Sequence, residues 1–220
     1  MQTKAIRHES RERLGVHMNV LIACEFSGVV REAFRAKGHN AVSCDLLPTD
    51  IAGPHIQDDV LAVITGVSHI GNMVNHHGWD LMIAHPPCDH LAVSGASHFK
   101  KKREDGRQQK GIDFFMALVR AGIPKICIEN PVGIMSTVFR KPNQIIQPWW
   151  FGHNESKKTC LWLMGLEKLK PTRVIPQPEC GYRENQTPSG QNKLGPSKDR
   201  WKLRSKTYQG IADAMADQWG

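Results

Sequence analysis

Two short apolar runs in this sequence end in residues whose side chains can take part in covalent catalysis. The run "LMIAH" is followed by two prolines and Cys88, and the run "KICI" is followed by Glu129 and Asn130. A cysteine thiolate is a strong nucleophile, and a carboxylic acid can donate a proton to a neighbouring ring nitrogen. Cys88 and Glu129 are therefore candidate catalytic residues, and the prolines would fix the backbone that orients the thiol.

This pair of groups is suited to methylation of cytosine at C5. That carbon is a poor nucleophile, but a thiolate that adds to C6 makes C5 enamine-like and able to attack an electrophilic methyl group. A protonated Glu129 beside ring N3 would stabilise the charge that develops on the ring, and a base would then remove the C5 proton as the thiol leaves. Asp45, at the end of another strand-like run, and Asp59, in the segment beyond it, suit the ribose hydroxyls and adenine amine of S-adenosylmethionine.

These residues also have structural interpretations. Cys88 could be a small packed side chain, and Glu129 could be a helix cap or one half of an ion pair. A metal site is a further alternative, because three histidines lie close to the cysteine in sequence, namely His85, His90 and His98. Their spacing matches no common zinc pattern and no second cysteine pair follows, so the sequence predicts no metal.

The elements that must position these residues alternate between strand and helix. "MNVLIACEF" is a buried-strand pattern, and it leads into a segment with apolar residues at helical spacing that is closed by Gly38. "NAVSCDL", "WDLMIAH" and "IPKICIENP" are further strand patterns, and their apolar runs are typical of strands covered on both faces. This order predicts an α/β fold with a Rossmann-like, doubly wound and mainly parallel sheet, in which ligands bind beyond the carboxyl ends of the strands.

The remaining segments are predicted from their periodicity and composition. "PTDIAGPHIQDDVL" is predicted to be a loop, residues 170–206 are the most irregular stretch, and "FKKKREDGR" is either a solvated charge run or a mobile lid that touches phosphates. Two helices are predicted from their apolar faces, one formed by Ile112, Phe115, Met116 and Val119 and closed by Gly122, and one formed by Ile211, Ala214, Met215 and Trp219.

The composition is that of a soluble globular protein with an anionic partner. Hydrophobic residues make up 40% and charged residues 23% of the chain, and no apolar run approaches the roughly 20 residues that cross a bilayer. We expect no membrane segment and, from the polar first residues, no secretory signal. Six scattered cysteines without a C-x-x-C pair indicate a reducing, cytoplasmic compartment. The net charge of +8 favours a polyanionic partner, of which nucleic acid is the commonest.

Several short motifs occur in an order that is typical of one enzyme family. Along the chain they are "EFSG", "CDL", "QDDV", "HPPC", "IENP", "ESKKTCLWL" and "RSKTYQGIADAMADQW". In this order they resemble the motifs of the DNA cytosine-C5 methyltransferases, over about residues 18–165 and 200–220. The whole chain also resembles short methylase-like proteins of bacteriophages, which implies a phage-encoded protein that acts in the cytoplasm of a bacterial host.

The resemblance implies a role for each matching residue. Cys88 would be the nucleophile, Glu129 would engage ring N3 and the exocyclic amine, and Asn130 would orient the Pro-Cys loop. Lys157 and Lys158, in the basic motif, would contact the base or nearby phosphates. The substrate would be DNA, and the methyl donor S-adenosyl-L-methionine would be held by Phe26, Ser27, Gly28, Asp45, Asp59 and Pro86.

The chain departs from the family where target recognition is expected. Family members carry a large recognition domain between the basic and C-terminal motifs, and here only residues 165–206 are available as a reduced insertion. We expect a single domain with the S-adenosylmethionine-dependent methyltransferase fold over residues 18–220, preceded by an N-terminal appendage of residues 1–17. Two alternatives stay open. One is the same chemistry on a free cytidine nucleotide, RNA or single-stranded DNA, and the other is a phage decoy that binds without turnover.

Overall fold

The computed structural model describes residues 17–67 and 78–220, and one seven-stranded sheet lies at its centre. All of the predicted appendage except His17 lies outside the described residues. The strands are β1 (Asn19–Ala23), β2 (Asn40–Asp45), β3 (His55–Gln57), β4 (Leu81–Ala84), β5 (Lys125–Pro131), β6 (Gln144–Ile146) and β7 (Thr159–Met164). Their order across the sheet is β3-β2-β1-β4-β5-β7-β6.

Neighbouring strands run parallel except at β7, which is antiparallel to both β5 and β6. The order reverses between β1 and β4, because β2 and β3 extend to one side and β5 to the other. Such a reversal leaves a crevice beyond the carboxyl ends of the strands, where open α/β sheets bind ligands. The predicted α/β fold with a mainly parallel sheet is confirmed.

Helices cover both faces of the sheet. In the described part of the chain they are α1 (Val29–Ala36), α2 (Val60–Thr65), α3 (Phe99–Glu104), α4 (Arg107–Val119), α5 (Met135–Val138), α6 (Arg200–Ser205) and α7 (Gln209–Trp219), with 3-10 turns at Val93–His98 and Pro148–Trp150. One apolar core joins α1 and α7 to one face, and a second core joins α2, α4 and α5 to the other. Successive residues of β1 alternate between these two cores, as the pleat of a strand requires.

The central strands are apolar on both sides, which explains the unbroken hydrophobic runs in their sequences. All four residues of β4 are fully buried. The loops at the two ends of α1 depend on glycine, because Gly28 (φ 76°) and Gly38 (φ 87°) adopt left-handed backbone conformations that other residues rarely take. The Gly28 loop follows the carboxyl end of β1, on the crevice side of the sheet, whereas the Gly38 turn leads into the amino end of β2 at the opposite edge.

Some predicted elements differ from the structure. The segment predicted as a loop after Asp45 contains β3 and α2, and Asp59 caps α2 by accepting a hydrogen bond from Leu61 N at 2.9 Å. In α4, the fully buried apolar residues are Phe115 and Leu118, whereas the other residues of the predicted face are only partly buried. The predicted face of the C-terminal helix is correct, since all four of its residues are buried in α7.

Residues 165–206 connect β7 to α7, and their regular structure is limited to α6 and isolated bridges. A buried arginine organises the insertion, because Arg183 Nη1 donates to Asn154 Oδ1 at 3.1 Å and to the Pro176 carbonyl at 2.7 Å. The insertion is therefore held both by these polar contacts and, at its start, by Leu166 and Leu169, which pack into the core on the α1 and α7 face. Within residues 17–67 and 78–220, none of the helices combines the length and the apolar character that spanning a membrane requires.

Candidate active site

The Pro-Pro-Cys loop leaves the carboxyl end of β4, beside the end of β5. Pro86 is buried and Cys88 is half-buried, whereas Pro87 between them is exposed. The Cys88 carbonyl accepts hydrogen bonds from the backbone N–H groups of Leu91 (3.0 Å) and Ala92 (2.9 Å), so a helical turn begins at the cysteine. The backbone around the thiol is therefore constrained by prolines on one side and by this turn on the other.

Asn130 links this loop to β5. Its Nδ2 donates a hydrogen bond to the Pro86 carbonyl at 2.8 Å, and both residues are buried. A buried amide left without a partner would cost about 1–3 kcal/mol, so the bond favours one position of the loop against the strand. This is the contact expected of a residue that orients the Pro-Cys loop.

A histidine–glutamate pair lies where β4 and β5 end. His85 Nδ1 is 2.7 Å from Glu129 Oε2, and the two side chains are only 9% and 12% exposed. The other ring nitrogen, His85 Nε2, is buried and has no hydrogen-bond partner within residues 17–67 and 78–220. Because an unpaired buried polar atom is costly, this nitrogen marks a place where a ligand atom is expected. In the sequence analysis His85 is only a candidate metal ligand. Its position between an apolar strand and two prolines would also have indicated a polar residue of the site.

A small cavity beside Glu129 is closed by residues of the basic and C-terminal motifs. Its volume is about 10 Å³, which is roughly the space for one water molecule, so a pyrimidine ring enters only if the lining moves. Residues 206–208, here called the strap, form one side, and Lys157 Nζ holds the strap by donating to the Lys206 carbonyl at 3.3 Å. The polar residues that line the cavity are Glu129, Lys157, Thr159, Thr207 and Tyr208.

The two lysines of the basic motif differ in position. Lys157 lines the cavity, and its Nζ lies 5.9 Å from the centre of the Tyr208 ring. Lys158 is exposed and does not line the cavity, as expected from the alternation of side chains at the start of β7. Of the two lysines predicted to contact the base or nearby phosphates, Lys157 lines the cavity and Lys158 does not, and both contacts stay predictions.

Glu129 is held as a carboxylate. Burial raises its pKa, but the hydrogen bond from His85 and the nearby Lys157 charge outweigh burial and lower the pKa below its usual value. The cytosine chemistry calls for a protonated acid at this position, so the free protein differs from that expectation. A proton must reach the carboxyl group when a base binds, and His85, in direct contact with it, is the group placed to share one.

Cys88 is held as a thiol. Its pKa is raised by burial and by the negative charges of Asp89 and Glu129, and Lys157 opposes this shift. The thiolate is the nucleophilic form, so activation of Cys88 depends on the balance between these charges. Asp89, exposed immediately after the cysteine, is the largest of the charged contributions that oppose ionisation.

A second part of the crevice lies at the end of β2. Asp45 accepts a hydrogen bond from Leu47 N at 2.9 Å, and burial raises its pKa while that bond, His55 and His85 oppose the rise. The neighbouring Leu46 is 72% exposed, which is unusual for a leucine and gives an apolar surface beside the acid. The sequence drew no attention to Leu46, because its setting is visible only when the loop is folded.

The loop after β1 is bonded within the chain. Cys24 has a φ of 57°, uncommon for a residue other than glycine, and the next residue, Glu25, is buried. Glu25 Oε1 accepts hydrogen bonds from the Ser27 hydroxyl (3.0 Å) and Val30 N (2.8 Å), and Oε2 accepts one from Arg31 N (3.3 Å). The glutamate therefore caps α1, and Ser27 is bonded to that cap.

Gly28 and Phe26 of the same loop face other parts of this chain. A Cβ at Gly28 would lie 2.7 Å from Arg31 Nη2 and 3.0 Å from Ile51 Cβ, so this chain's own side chains explain the glycine. Phe26 is buried, with its ring centre 6.0 Å from that of Trp201 in α6. Cofactor contacts predicted for Phe26, Ser27 and Gly28 are not needed to explain the geometry of this loop.

Taken together, the groups that could hold a cofactor lie at the ends of β2, β4 and β5. Asp45 and Leu46 offer an acid and an apolar surface, and His85 Nε2 offers a buried polar atom without a partner in the described residues. Asp59 is exposed, but its carboxylate already caps α2. In the described ranges, no group of three or more His, Cys, Asp and Glu side chains has the geometry of a metal site.

Comparison with models of known protein families gives no match for this chain, and a search of curated proteins gives no match either. The main features of the site are a constrained thiol and a buried histidine–glutamate pair at the ends of adjacent strands. The charge of Lys157 lowers the pKa of both Cys88 and Glu129.

Proposed function

We propose that the protein transfers a methyl group from S-adenosyl-L-methionine to C5 of cytosine in a nucleic acid. The observation that carries the proposal is the meeting of the Cys88 loop and Glu129 at the ends of adjacent strands, linked by the hydrogen bond from Asn130 to Pro86. A nucleophile and an acid that act on one ring must be held a few ångströms apart, and this link favours that arrangement.

Cys88 and Glu129 would act on the ring, and Lys157 would act on the thiol. Cys88, as the thiolate, adds to C6, and Lys157 favours the thiolate because its charge lowers the Cys88 pKa. Glu129, once protonated, donates to N3 and is left as a carboxylate that keeps the hydrogen bond from His85 Nδ1. After C5 has received the methyl group, a solvent water takes the C5 proton and the C6–S bond breaks to release Cys88 as the thiolate. N3 returns its proton to Glu129, which loses it to solvent when the product leaves and is again the carboxylate of the free protein.

The methyl donor would be held at the other end of the crevice. When bound, S-adenosylmethionine supplies a methyl group made electrophilic by its positive sulfur. Asp45 would accept hydrogen bonds from ribose hydroxyls, Leu46 would pack against the adenine, and Asp59 is the nearest predicted partner for the adenine amine. Pro86, which is buried and bonded to Asn130, would line the pocket shared by the base and the cofactor.

Access of the base would require the strap to move. The cavity beside Glu129 has space for roughly one water molecule, and the strap is held there by Lys157 and by the ion pair between Lys206 and Asp50 at 2.8 Å. In duplex nucleic acid the cytosine would also have to leave the stack, at a cost of a few kcal/mol.

A trapping experiment tests the proposal. Oligonucleotides with 5-fluorocytosine are incubated with the protein and S-adenosylmethionine, and covalent complexes are separated on denaturing gels. Because fluorine cannot leave as a proton does, we expect a stable adduct that is lost in Cys88→Ala and kept in Cys180→Ala, which removes an exposed free cysteine. An adduct of full strength in Cys88→Ala would contradict the assignment of the nucleophile.

The same experiment separates the substrate alternatives. Duplex DNA, single-stranded DNA, RNA and a free cytidine nucleotide are compared as parallel arms. Absence of any adduct in all four arms, with nucleic acid still bound, would favour the protein that binds without turnover. An adduct in one arm only would name the substrate form.

A further inference from the structure

Helix α6 presents two large apolar side chains to solvent. Trp201 is 52% exposed and Leu203 is 55% exposed, and no residue of this helix is buried. Single exposed hydrophobic residues are common on protein surfaces, but two on one short helix that alternate with basic residues call for an explanation. The basic residues are Arg200, Lys202 and Arg204.

The segment that contains α6 is strongly basic. Residues 193–206 include one acid, Asp199, and a set of cations, namely Lys193, Lys198, Arg200, Lys202, Arg204 and Lys206. Within the described part of the chain, the only ion pair in this set is that of Lys206 with Asp50. The remaining positive charge favours a polyanion, and phosphates are the groups that such side chains commonly contact.

α6 leads directly into the strap beside the Glu129 cavity. The ring of Trp201 packs at 6.0 Å from Phe26, and Lys202 Nζ lies 5.8 Å from the centres of both rings. The next residues along the chain, Thr207 and Tyr208, line the cavity. A base stacked on the exposed face of Trp201 would therefore lie on the helix whose end continues directly into the strap.

A second pairing of lysine with an aromatic ring occurs in the insertion. Lys193 Nζ lies 6.0 Å from the centre of the Tyr182 ring, and Lys193 N donates to the Asn185 carbonyl at 2.8 Å. Asn185 Nδ2 in turn donates to Ser156 O at 3.0 Å, and its side chain also reaches Tyr208. A second aromatic–lysine pair is thus connected to the strap through Asn185.

We propose that α6 and the turn that carries Tyr182 and Lys193 bind an unpaired nucleic-acid strand. Trp201 and Tyr182 stack on bases, and the neighbouring lysines contact phosphates. In a duplex the faces of the bases are hidden within the stack, so the exposed ring of Trp201 and the half-buried ring of Tyr182 gain little from it, whereas an unpaired strand offers the face of every base. The inference rests on the proposed function only in that it names the substrate class of that reaction.

Fluorescence anisotropy tests this inference without the cofactor. A labelled oligonucleotide of about 12 nucleotides, long enough to cover a typical single-strand site, is titrated as DNA, as RNA and as the DNA duplex. We expect both single strands to bind more tightly than the duplex. We expect Trp201→Ala to weaken single-strand binding about tenfold, the scale of one stacked base, while Trp201→Phe keeps most of the affinity.

The matched control is Val174→Ala, which shortens another exposed apolar residue of the insertion (56% exposed) and should leave binding unchanged. Tighter binding to the duplex, or equal binding by Trp201→Ala and the unmodified protein, would overturn the inference. The result is independent of the trapping experiment. Loss of all adducts with normal strand binding would reject only the methyl transfer, whereas adducts with duplex-preferring binding would reject only the unpaired-strand surface.

Discussion

The two sides of the crevice use polar residues in different ways. In the loop after β1, the carboxylate of Glu25 is bonded to Ser27 and to the start of α1. At the ends of β4 and β5, His85 Nε2 is buried without a partner in the described residues, and Cys88 has a raised pKa. Folding alone satisfies the first region, whereas the second keeps polar contacts that a ligand can complete.

Arg31 shows how completely the first region is satisfied. Its side chain is fully buried, and Nη1 donates to Ser43 Oγ at 2.9 Å and to Thr49 Oγ1 at 3.2 Å. Nη2 donates to the Ile51 carbonyl at 2.5 Å, and Nε pairs with Glu32 Oε1 at 2.7 Å. A strand-end position and a recognisable motif therefore do not by themselves mark a ligand site, because the chain can use such residues to fix its own loops.

The largest effect should come from the satisfied region. We expect Arg31→Ala to lower the free energy of unfolding by about 3–5 kcal/mol, because it removes a fully buried side chain together with its hydrogen bonds to Ser43 and Ile51 and its ion pair with Glu32. Urea unfolding measures this loss. Arg35→Ala, on the same helix but 39% exposed, should change stability by less than about 0.5 kcal/mol. Equal losses in the two variants would show that the network does not stabilise the fold.

For Glu129 we expect a substitution to reduce catalysis rather than stability. Glu129→Gln should lower the rate of methyl transfer about 10²-fold or more, the usual scale for a positioned acid, while S-adenosylhomocysteine still binds. Single-turnover assays and calorimetry separate the two effects. Glu179→Gln, at an exposed position of the insertion, is the matched control and should keep full activity. If cofactor affinity falls with the rate, Glu129 belongs to the cofactor pocket or to folding.

The sequence predicts the sheet well because the sheet depends on local patterns. The central strands are unbroken apolar runs, and the buried face of α7 follows the helical period. β3 and α2 were missed because both are short and lie among polar and turn-forming residues, where only the cap at Asp59 signals a helix. Short elements that are stabilised by tertiary contacts are harder to predict from the sequence than longer elements with a regular hydrophobic pattern.

The candidate site is less predictable, because its chemistry depends on contacts between distant residues. His85 and Glu129 are 44 positions apart, and their pairing sets the protonation of the glutamate. Burial of the Ser27 hydroxyl against Glu25, and closure of the cavity by the strap, are equally invisible in the motifs. Motifs predict which residues gather at the strand ends, but not which of them remain available to a ligand.

A pair of substitutions compares the two regions on one scale. Asp45→Ala should weaken S-adenosylhomocysteine binding by about 1.5–3 kcal/mol, the range for a hydrogen bond to a charged group, with little loss of stability. Ser27→Ala should leave S-adenosylhomocysteine binding unchanged. It should lower the free energy of unfolding by about 1 kcal/mol, because it removes a buried hydrogen bond to Glu25. Calorimetry measures cofactor binding and urea unfolding measures stability for both variants. Weakened cofactor binding in Ser27→Ala would show that the loop after β1 is part of the cofactor site.

His85, whose Nδ1 pairs with Glu129, offers a finer test. His85→Ala should raise the pKa of Glu129, because the hydrogen bond that lowers it is lost. It should slow methyl transfer about tenfold, because the group placed to share a proton with Glu129 is lost, and this is less than the roughly 10²–10⁴-fold of an acid that acts on the substrate itself. His85→Asn, whose amide can replace the Nδ1 donor, should bring both the Glu129 pKa and the rate of methyl transfer part of the way back to those of the unmodified protein. Carbon NMR of the Glu129 carboxyl group reports the pKa directly, which a purely structural role would not move. The exposed His98→Asn serves as control, and an unchanged Glu129 pKa in His85→Ala would contradict the pairing.

The smallest effect concerns the pH dependence of the thiol. Cys88 reacts as the thiolate and its pKa is raised, so methyl transfer should increase with pH through and beyond the ordinary range of a cysteine. Asp89 opposes ionisation of the thiol, so Asp89→Asn should lower the Cys88 pKa and move this rise to lower pH by a fraction of a unit. Lys157 favours the thiolate, so Lys157→Gln should move the rise to higher pH. The rate of Cys88 alkylation against pH measures both shifts without turnover, and Asp113→Asn on α4 should shift neither. Shifts in the same direction for Asp89→Asn and Lys157→Gln would mean that charge does not control the thiol, and the site would then resemble the satisfied region after β1.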